Sequence, residues 1–498
     1  MVFRFNLKNN NNLAIYLGVL IVCGPIGHVA ASNIHQPPGP NLTLGSVVHG
    51  VTVSAAVANP AAPAAEHKNT RGDRGAGLLI GGGLEYGNVD EIFNIINLVS
   101  STIQDADREP PDEIPPNLPE EPVQLPTNLT WQDVVNSNPE YQQWFDALQA
   151  QSVFIASTLA VVSQQAYAKA MVSADLPVVI SHELWGGSLV FSAGSSATSK
   201  AKGIVDVFEF DVEQALSQID AARMLPPDAA ETTFNLSDDI HLIVDPSKGS
   251  VNVKVVNDSL LLTKAAIAHT FALGYSREAY AIEQGSFFWG VKPKFYRIGL
   301  TQVDTRLGDL SDAEALFNDI KDADFRYASR LSVDFGALWR TDTYSLGLTL
   351  SDPFRPSFNF PSVEKSKYSK RDIYFRIQKE STYFIDPQLR FEASLLPKYS
   401  PWSFNLEFDA NAIRDPMGDE YQWLVASTVY TSEKKWMPDF RLGYRSNLDG
   451  SDLEYYSVGA SFFDVFSVDL ASTRDKVKIS GENIPRGMNI SLGLNLQF

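Results

Sequence analysis

Cysteine is almost missing from this chain: Cys23 is the single one in 498 residues. No intrachain disulfide can form, and no cysteine metal site can be built. Histidine is sparse too. Seven are present (His28, His35, His49, His67, His182, His241 and His269), none follows residue 269, and no pair has HxxxH spacing. Positive charge is in deficit, since 40 Lys and Arg face 59 Asp and Glu for a formal charge of −19. Such a surface repels nucleic acid, and no basic cluster offers a phosphate footprint. Beyond residue 31 no apolar run reaches about 18 residues, which excludes an inner-membrane anchor helix. No GxSxG, phosphate-binding loop or dinucleotide fingerprint occurs. These absences argue against an enzyme, and no metal or other cofactor is expected. A barrel lipase would set a serine against a histidine on adjacent strands, and His269 beside a strand serine is the nearest approach to one.

The N-terminus is basic at Arg4 and Lys8, apolar from Leu13 to Val22, and small at Val29-Ala30-Ala31. That order reads as a secretory signal peptide over residues 1–31, cleaved near Ala31. Removing its two cations leaves a mature charge near −21 (−19 minus 2). Cys23 has Leu20 three residues before it, as in a lipoprotein, but Val22 is bulky for the position preceding a lipidated cysteine. Arg71-Gly72-Asp73 spells an adhesion tripeptide that chance in a polar segment explains. Asp449, Asp452 and Glu454 match no established calcium loop and read as a solvated hairpin.

What the chain has in abundance is alternation. From Met488 to Phe498 every second residue is apolar: Met488, Ile490, Leu492, Leu494, Leu496, Phe498. A strand of about ten residues with one apolar and one polar face suits a membrane-spanning β-barrel, and equally a half-buried strand of a soluble sheet. A terminal aromatic residue resembles the assembly signal of bacterial outer-membrane barrels, here Leu494, Leu496 and Phe498. The pattern repeats upstream: Phe404, Leu406 and Phe408; Leu389, Phe391, Ala393 and Leu395; Phe440, Leu442 and Tyr444; Phe466, Val468 and Leu470; Val333, Phe335, Ala337 and Trp339. The intervening positions carry full charges, which in a barrel of this size would line a wet lumen. A mean hydropathy of −0.11 is compatible with that, because alternation hides the lipid face from an average. Trp289, Tyr296, Trp339, Tyr344, Trp402, Trp423, Tyr430 and Trp436 sit near strand ends and predict an interfacial girdle. With Phe498 on the periplasmic side, short turns belong there. Phe463-Asp464-Val465 and Leu396 to Pro401 comply, whereas the long segments 303–326 and 351–370 conflict with that parity.

The expected organisation is a signal peptide over 1–31, an N-terminal hatch over 32–75, and a first strand and short helix over 76–104. An acidic linker follows over 105–126, with seven prolines and seven acids. A helical insertion is expected over 127–175, with its helix running from Trp144 to Lys169, and a barrel over 176–498. The fold class is thus all-β with helical insertions: a transmembrane antiparallel β-barrel of about 14 strands.

Several segments resemble the TraF-like family of conjugal transfer proteins, within the barrels related to the FadL fatty acid transporter and the PorV proteins. Gly50-Val51-Thr52-Val53 leading to Asn59-Pro60-Ala61 resembles its N-terminal "GxGVA…NPA" pattern. Gly285 to Phe295 resembles its "GxxxxGxxPKY" hairpin, Asp334 to Trp339 its "DxGxxw" strand, and Phe440 to Asn447 its "LRxGYRxN" strand. His49-Gly50 departs from the usual double glycine. The resemblance implies an outer-membrane barrel whose N-terminal segment folds inward as a hatch, with Asn59, Pro60 and Ala61 at its turn. Implied partners are outer-membrane lipid, the barrel assembly machinery, and either hydrophobic small molecules or secretion and conjugation components. Two functions stay open: hatch-gated passage of hydrophobic solutes, or a non-transporting barrel that docks partners in an envelope complex. A soluble periplasmic β-rich binding protein is a third.

Overall fold

The computed structural model describes residues 37–46, 53–67, 74–87, 167–204, 206, 217–218, 221–222, 224–226, 229–236, 240–245, 250–255, 259–306, 323–365, 371–378, 380–432, 434, 436–479 and 482–497. The expected signal peptide, Cys23, the acidic linker, most of the helix from Trp144 and the terminal Phe498 lie outside them.

Fourteen antiparallel strands close into one barrel. They are β1 (Gly75–Tyr86), β2 (Tyr167–Leu184), β3 (Gly187–Ile204), β4 (Leu260–Ile282), β5 (Gly285–Arg306), β6 (Arg326–Arg340) and β7 (Tyr344–Ser351), followed by β8 (Gln388–Leu395), β9 (Trp402–Asp409), β10 (Trp423–Tyr430), β11 (Asp439–Asn447), β12 (Glu454–Phe462), β13 (Phe466–Thr473) and β14 (Gly487–Gln497). Each pairs with its chain neighbour. The C-terminal strand β14 closes the ring on β1, with Ala76 opposite Leu496 and Leu84 opposite Met488. Tyr167 to Asp175 lie in β2, which corrects the expected helix to Lys169 and the insertion to residue 175. The reason is pairing: with β1 already placed, the inward Met171 and Ser173 fall opposite Gly83 and Gly81. A helix there would leave β1 with an unpaired edge.

Alternation sorts the side chains as the pleat requires. Ile490, Leu492, Leu494, Leu406, Leu346, Leu442 and Leu470 point outward and are exposed, whereas Ser491, Asn405, Glu407, Arg441 and Asp469 point inward and are buried. The exterior is therefore a continuous apolar wall. The strands from β7 to β13 have 8 or 9 residues, close to the ~9–11 that cross a bilayer core. By contrast β2 and β3 have 18, β4 has 23 and β5 has 22, so one side of the barrel stands much taller.

The parity conflict dissolves in the closed ring. Residues 185–186, 283–284, 341–343, 396–401, 431–438 and 463–465 connect strands at the end where Gly75 and Gln497 lie. The strand ends flanking 307–325 and 352–387, like those of the other long connections, lie at the other end. The aromatic girdle holds for Trp289, Trp339, Tyr344, Trp402 and Tyr430, near the short-turn end, where Trp402 and Tyr430 meet edge to face at 5.2 Å. Two residues leave it: Tyr296 and Trp423 point inward and are buried. Each falls on the inward parity of its strand, Tyr296 with Lys292 and Lys294 and Trp423 with Val425 and Ser427, so proximity to a strand end misassigns it. Among the described residues no helix is long and apolar enough to cross a membrane.

Candidate functional site

The interior of the barrel holds protein. Two stretches of the N-terminal segment, 37–46 and 53–67, lie against the inward faces of the strands. The first contains the short helix α1 (Asn41–Leu44), all four residues of which are buried. It rests on β10 to β13, and Leu42 packs among Tyr421, Trp423, Tyr455 and Leu453. Gly39 and Gly45 let the chain enter and leave this helix at φ of +71° and +79°, where a side chain would be strained. A Cβ on Gly45 would sit 2.6 Å from the Glu407 carboxylate, so the backbone comes as close as glycine allows.

The polar inner face pairs with this backbone group by group. Gly39 N–H donates to Ser491 Oγ and Ser46 N–H to the Glu407 carboxylate. Arg445 donates to the Asn41 carbonyl at 3.2 Å and Arg390 to Ser46 Oγ at 2.8 Å. Short loops inside a barrel leave backbone groups without helix or sheet partners, and a polar lumen supplies the missing ones.

The second stretch holds α2 (Ala55–Ala58), the turn Asn59-Pro60-Ala61 and α3 (Ala62–His67), against β2 to β6. Asn59 is fully buried. Its Oδ1 accepts from Ala61 N–H at 2.9 Å, tightening the turn, and its Nδ2 donates to Glu392 at 3.2 Å. Thr349 holds the other Glu392 oxygen at 3.1 Å. Three glycines on neighbouring strands clear the space. Gly290 of β5 lies opposite Gly336 of β6, and Gly347 follows on β7. A Cβ on Gly290 would lie 2.0 Å from the Pro60 carbonyl oxygen, and one on Gly336 2.3 Å from Asn59 Oδ1. No side chain fits at either position while the turn is seated.

The segments that carry the family resemblance converge here. Gly290 and Gly336 seat the Asn59-Pro60-Ala61 turn, and a Cβ on Gly443 would meet the Thr43 carbonyl at 2.5 Å. Lys294 pairs with Asp334 at 2.5 Å and with Asp352 at 2.8 Å, and Arg441 with Asp469 at 2.8 Å. Among the described residues the N-terminal segment thus occupies the lumen as an inward-folded hatch would, and these lumen charges pair with one another or with its backbone. Burying ions demands such partners. Glu392 and the glycine seats were not singled out as contacts in the sequence, although Gly290 and Gly336 stood inside the quoted motifs.

Of the other residues considered, Leu494 and Leu496 lie on the outward face of β14. His269 lies opposite Ser195 of β3 on one side and Arg297 of β5 on the other. Asp449 accepts from Gly450 N–H within its own turn.

A narrow cleft lies between this plug and the tall wall. Its lining mixes apolar residues, among them Pro37, Leu42, Met171 and Ala268, with polar ones of β2, β3 and β14 such as Thr198 and Asn489.

The family model described as "F plasmid transfer operon, TraF, protein" matches residues 56–409. No curated protein sequence matches the chain. Among solved structures it is similar to the TodX deltaS2S3 mutant monoaromatic hydrocarbon channel, at 10% identity and a TM-score of 0.42, covering 94% of this chain and 100% of that one. It is similar to a Pseudomonas aeruginosa FadL homologue at 12% identity and a TM-score of 0.33, covering 95% and 100%. Its likeness to the ferric-catecholate import receptor Fiu of E. coli K12 is weaker, at 6% identity and a TM-score of 0.22, covering 67% and 65%.

Proposed function

The chain belongs to the family of the F plasmid transfer operon TraF protein, and from that premise we propose that it is an outer-membrane β-barrel gated by its own N-terminal segment. The gate is the plug formed by residues 37–46 and 53–67, and the route is for small hydrophobic solutes. The observation that carries this reading is the seat of Asn59-Pro60-Ala61 on Gly290, Gly336 and Gly347. A turn held by hydrogen bonds and close contact, with no covalent tie, closes the lumen and can still leave it. The mainly apolar cleft beside the first plug stretch, lined by Leu42, Met171, Ala266 and Ala268 with Ser173, Ser196, Thr198, Asn489 and Ser491 among them, favours apolar cargo over ions. A continuous apolar exterior suits lipid and would be an aggregation surface in water, which disfavours the soluble binding protein.

The second reading is a barrel that docks partners and never conducts. It gains support from the completeness of the plug's hydrogen bonding. Deleting residues 32–75 and recording single-channel current in planar bilayers separates the two. Gain of a steady conductance is expected. A deleted barrel that folds, shown by heat-modifiable migration, and stays silent would count against the plug. Should the deletion not fold, Gly290→Val is the second test, because it unseats Pro60 while keeping the chain intact.

A further inference from the structure

The inner face of the tall wall carries an unusual row of like charges. Lys169 of β2 lies directly opposite Lys200 of β3, and Lys200 directly opposite Lys264 of β4. Side chains directly opposed on adjacent strands lie about 5 Å apart at Cβ, and like charges in that relation repel. Within the barrel wall Glu85 of β1, directly opposite Lys169, offsets only that end of the row. The rest of the compensation comes from two long connections at the far end of the barrel. One is 410–422, where Asp415 and Asp419 flank a tight turn closed by Gly418 at φ +91°. Within it Asp415 N–H donates to the Asp419 carbonyl at 2.9 Å, and Asp419 N–H to Asp415 Oδ1 at 2.8 Å. That turn presents both carboxylates on one side. Lys169 binds Asp415, Asp419 at 2.7 Å and the Tyr421 hydroxyl at 2.6 Å, and Lys200 binds Asp419.

The other connection runs from β7 to β8 and includes α4 (Arg371–Gln378). Its Glu380 meets Lys202 at 2.9 Å and Lys264 at 3.1 Å, and the Glu380 carbonyl accepts from Lys264 at 3.0 Å. The same two connections lay Phe358, Phe360, Tyr383, Ile385 and Met417 over Ala266, Ala268, Tyr296, Ile298 and Leu300 of the wall. The cleft beside the plug runs beneath Pro416 of this cover.

We infer that the two connections form a lid over the cleft, held shut by an ionic latch in which Asp415, Asp419 and Glu380 clip onto the lysine row. The latch rests on the placement of the loops and holds whichever way the barrel is used. A hydrophobic seam alone would keep the lid closed at any ionic strength. A lysine row makes closure conditional: with its counter-charges removed, the lysines repel one another and the lid loses its hold. The exposed pair Lys202–Glu380 yields to salt first, being open to solvent, and the enclosed Lys169 cluster last.

The test is the labelling rate of a cysteine placed under the lid, Ala268→Cys, by a membrane-impermeant maleimide. It uses the full chain carrying Cys23→Ser, folded in vesicles, with the same chain lacking the new cysteine as blank. Labelling should be slow with the native lid, rise in molar salt, and rise roughly tenfold or more in Asp415→Asn/Asp419→Asn. Lys202→Gln, which leaves the Lys264–Glu380 pair in place, should label more slowly than Glu380→Gln, which leaves both lysines without that carboxylate. Rates unchanged in the double variant, or fast labelling of the native lid, overturn the latch. If the double variant shows no heat-modifiable band, the salt dependence of the native lid decides in its place. Because labelling needs no transport, a negative here is distinct from a failure of the plug to conduct.

Discussion

Asn59 shows how one side chain can hold a plug. Its oxygen shapes its own turn, its nitrogen reaches Glu392, and no other residue type offers both at that length. Asparagine before proline is legible in the sequence as a turn. The glycines that receive it are not, because a glycine in a strand reads as weakness until the opposing backbone is in place. Buried ions are a second residue-scale matter. Arg441 and Asp469 pair at 2.8 Å with almost no exposure. Asp469→Leu leaves a guanidinium unpaired in the interior and should cost about 3–5 kcal/mol, read as a lower urea midpoint in vesicles. The double change Arg441→Met/Asp469→Leu should recover much of that loss.

Titration at the lid follows from the same reasoning. Burial opposes ionisation of Glu380, but Lys202 and Lys264 outweigh it and hold the carboxyl below its ordinary value. At Asp419 burial is likewise outweighed by Lys169 and Lys200, whereas at Asp415 burial prevails over Lys169 and raises the carboxyl. A depressed carboxylate stabilises above its unfolded value, about 4.3 for Glu, and loses that contribution as pH falls through the folded one. Asp415 has the opposite sign and protonates before the others. Divided by the rate of a fully exposed cysteine, which removes the loss of thiolate with falling pH, maleimide labelling at Ala268→Cys should rise in acid in two steps, first as Asp415 protonates and then as Glu380 and Asp419 do. Glu380→Gln should already label faster at pH 7 and should lose part of the second step.

At the scale of elements, alternation carried most of the reading. Leu406 sits outward on β9 between Asn405 and Glu407, which point in. Leu406→Arg places a charge on the proposed lipid face and should cost about 2–4 kcal/mol near the midplane. Unfolding in vesicles measures it, and a soluble sheet would show almost no change. The helix to Lys169 was read from an apolar stripe further upstream, and strand β2 takes over because β1 needs a partner on its open edge. Tyr296 and Trp423 were placed in the girdle by position along a strand, when parity points them inward. The height of β4 and β5 was invisible as well, since alternation says which way a residue faces and nothing about how far a strand stands above its neighbours.

At the scale of the whole molecule, ring closure explains what single strands could not. Short turns gather at the end where β1 begins and β14 ends, and long connections gather at the other. The resulting asymmetry leaves one end of the barrel low and plain and gives the other a tall wall with a lid. Plug and lid stand in series along one interior, the plug held largely by hydrogen bonds from the lumen and the lid by ion pairs. Deleting the plug should raise conductance further in the lid variant Asp415→Asn/Asp419→Asn than in the native lid, as two barriers in series require, and bilayer recording checks it.

The sequence by itself determined the strands and their two faces, because side-chain direction in a strand has a period of two and is decided within a few residues. It also marked the turn at Asn59-Pro60 and, through the family resemblance, the strands that hold it. Only the tertiary structure decided that the lumen is filled and which charges meet in it. Asn59 and Glu392 are 333 positions apart and Gly39 and Ser491 are 452 apart. Contacts at such separation depend on closure of the ring, which no local pattern encodes.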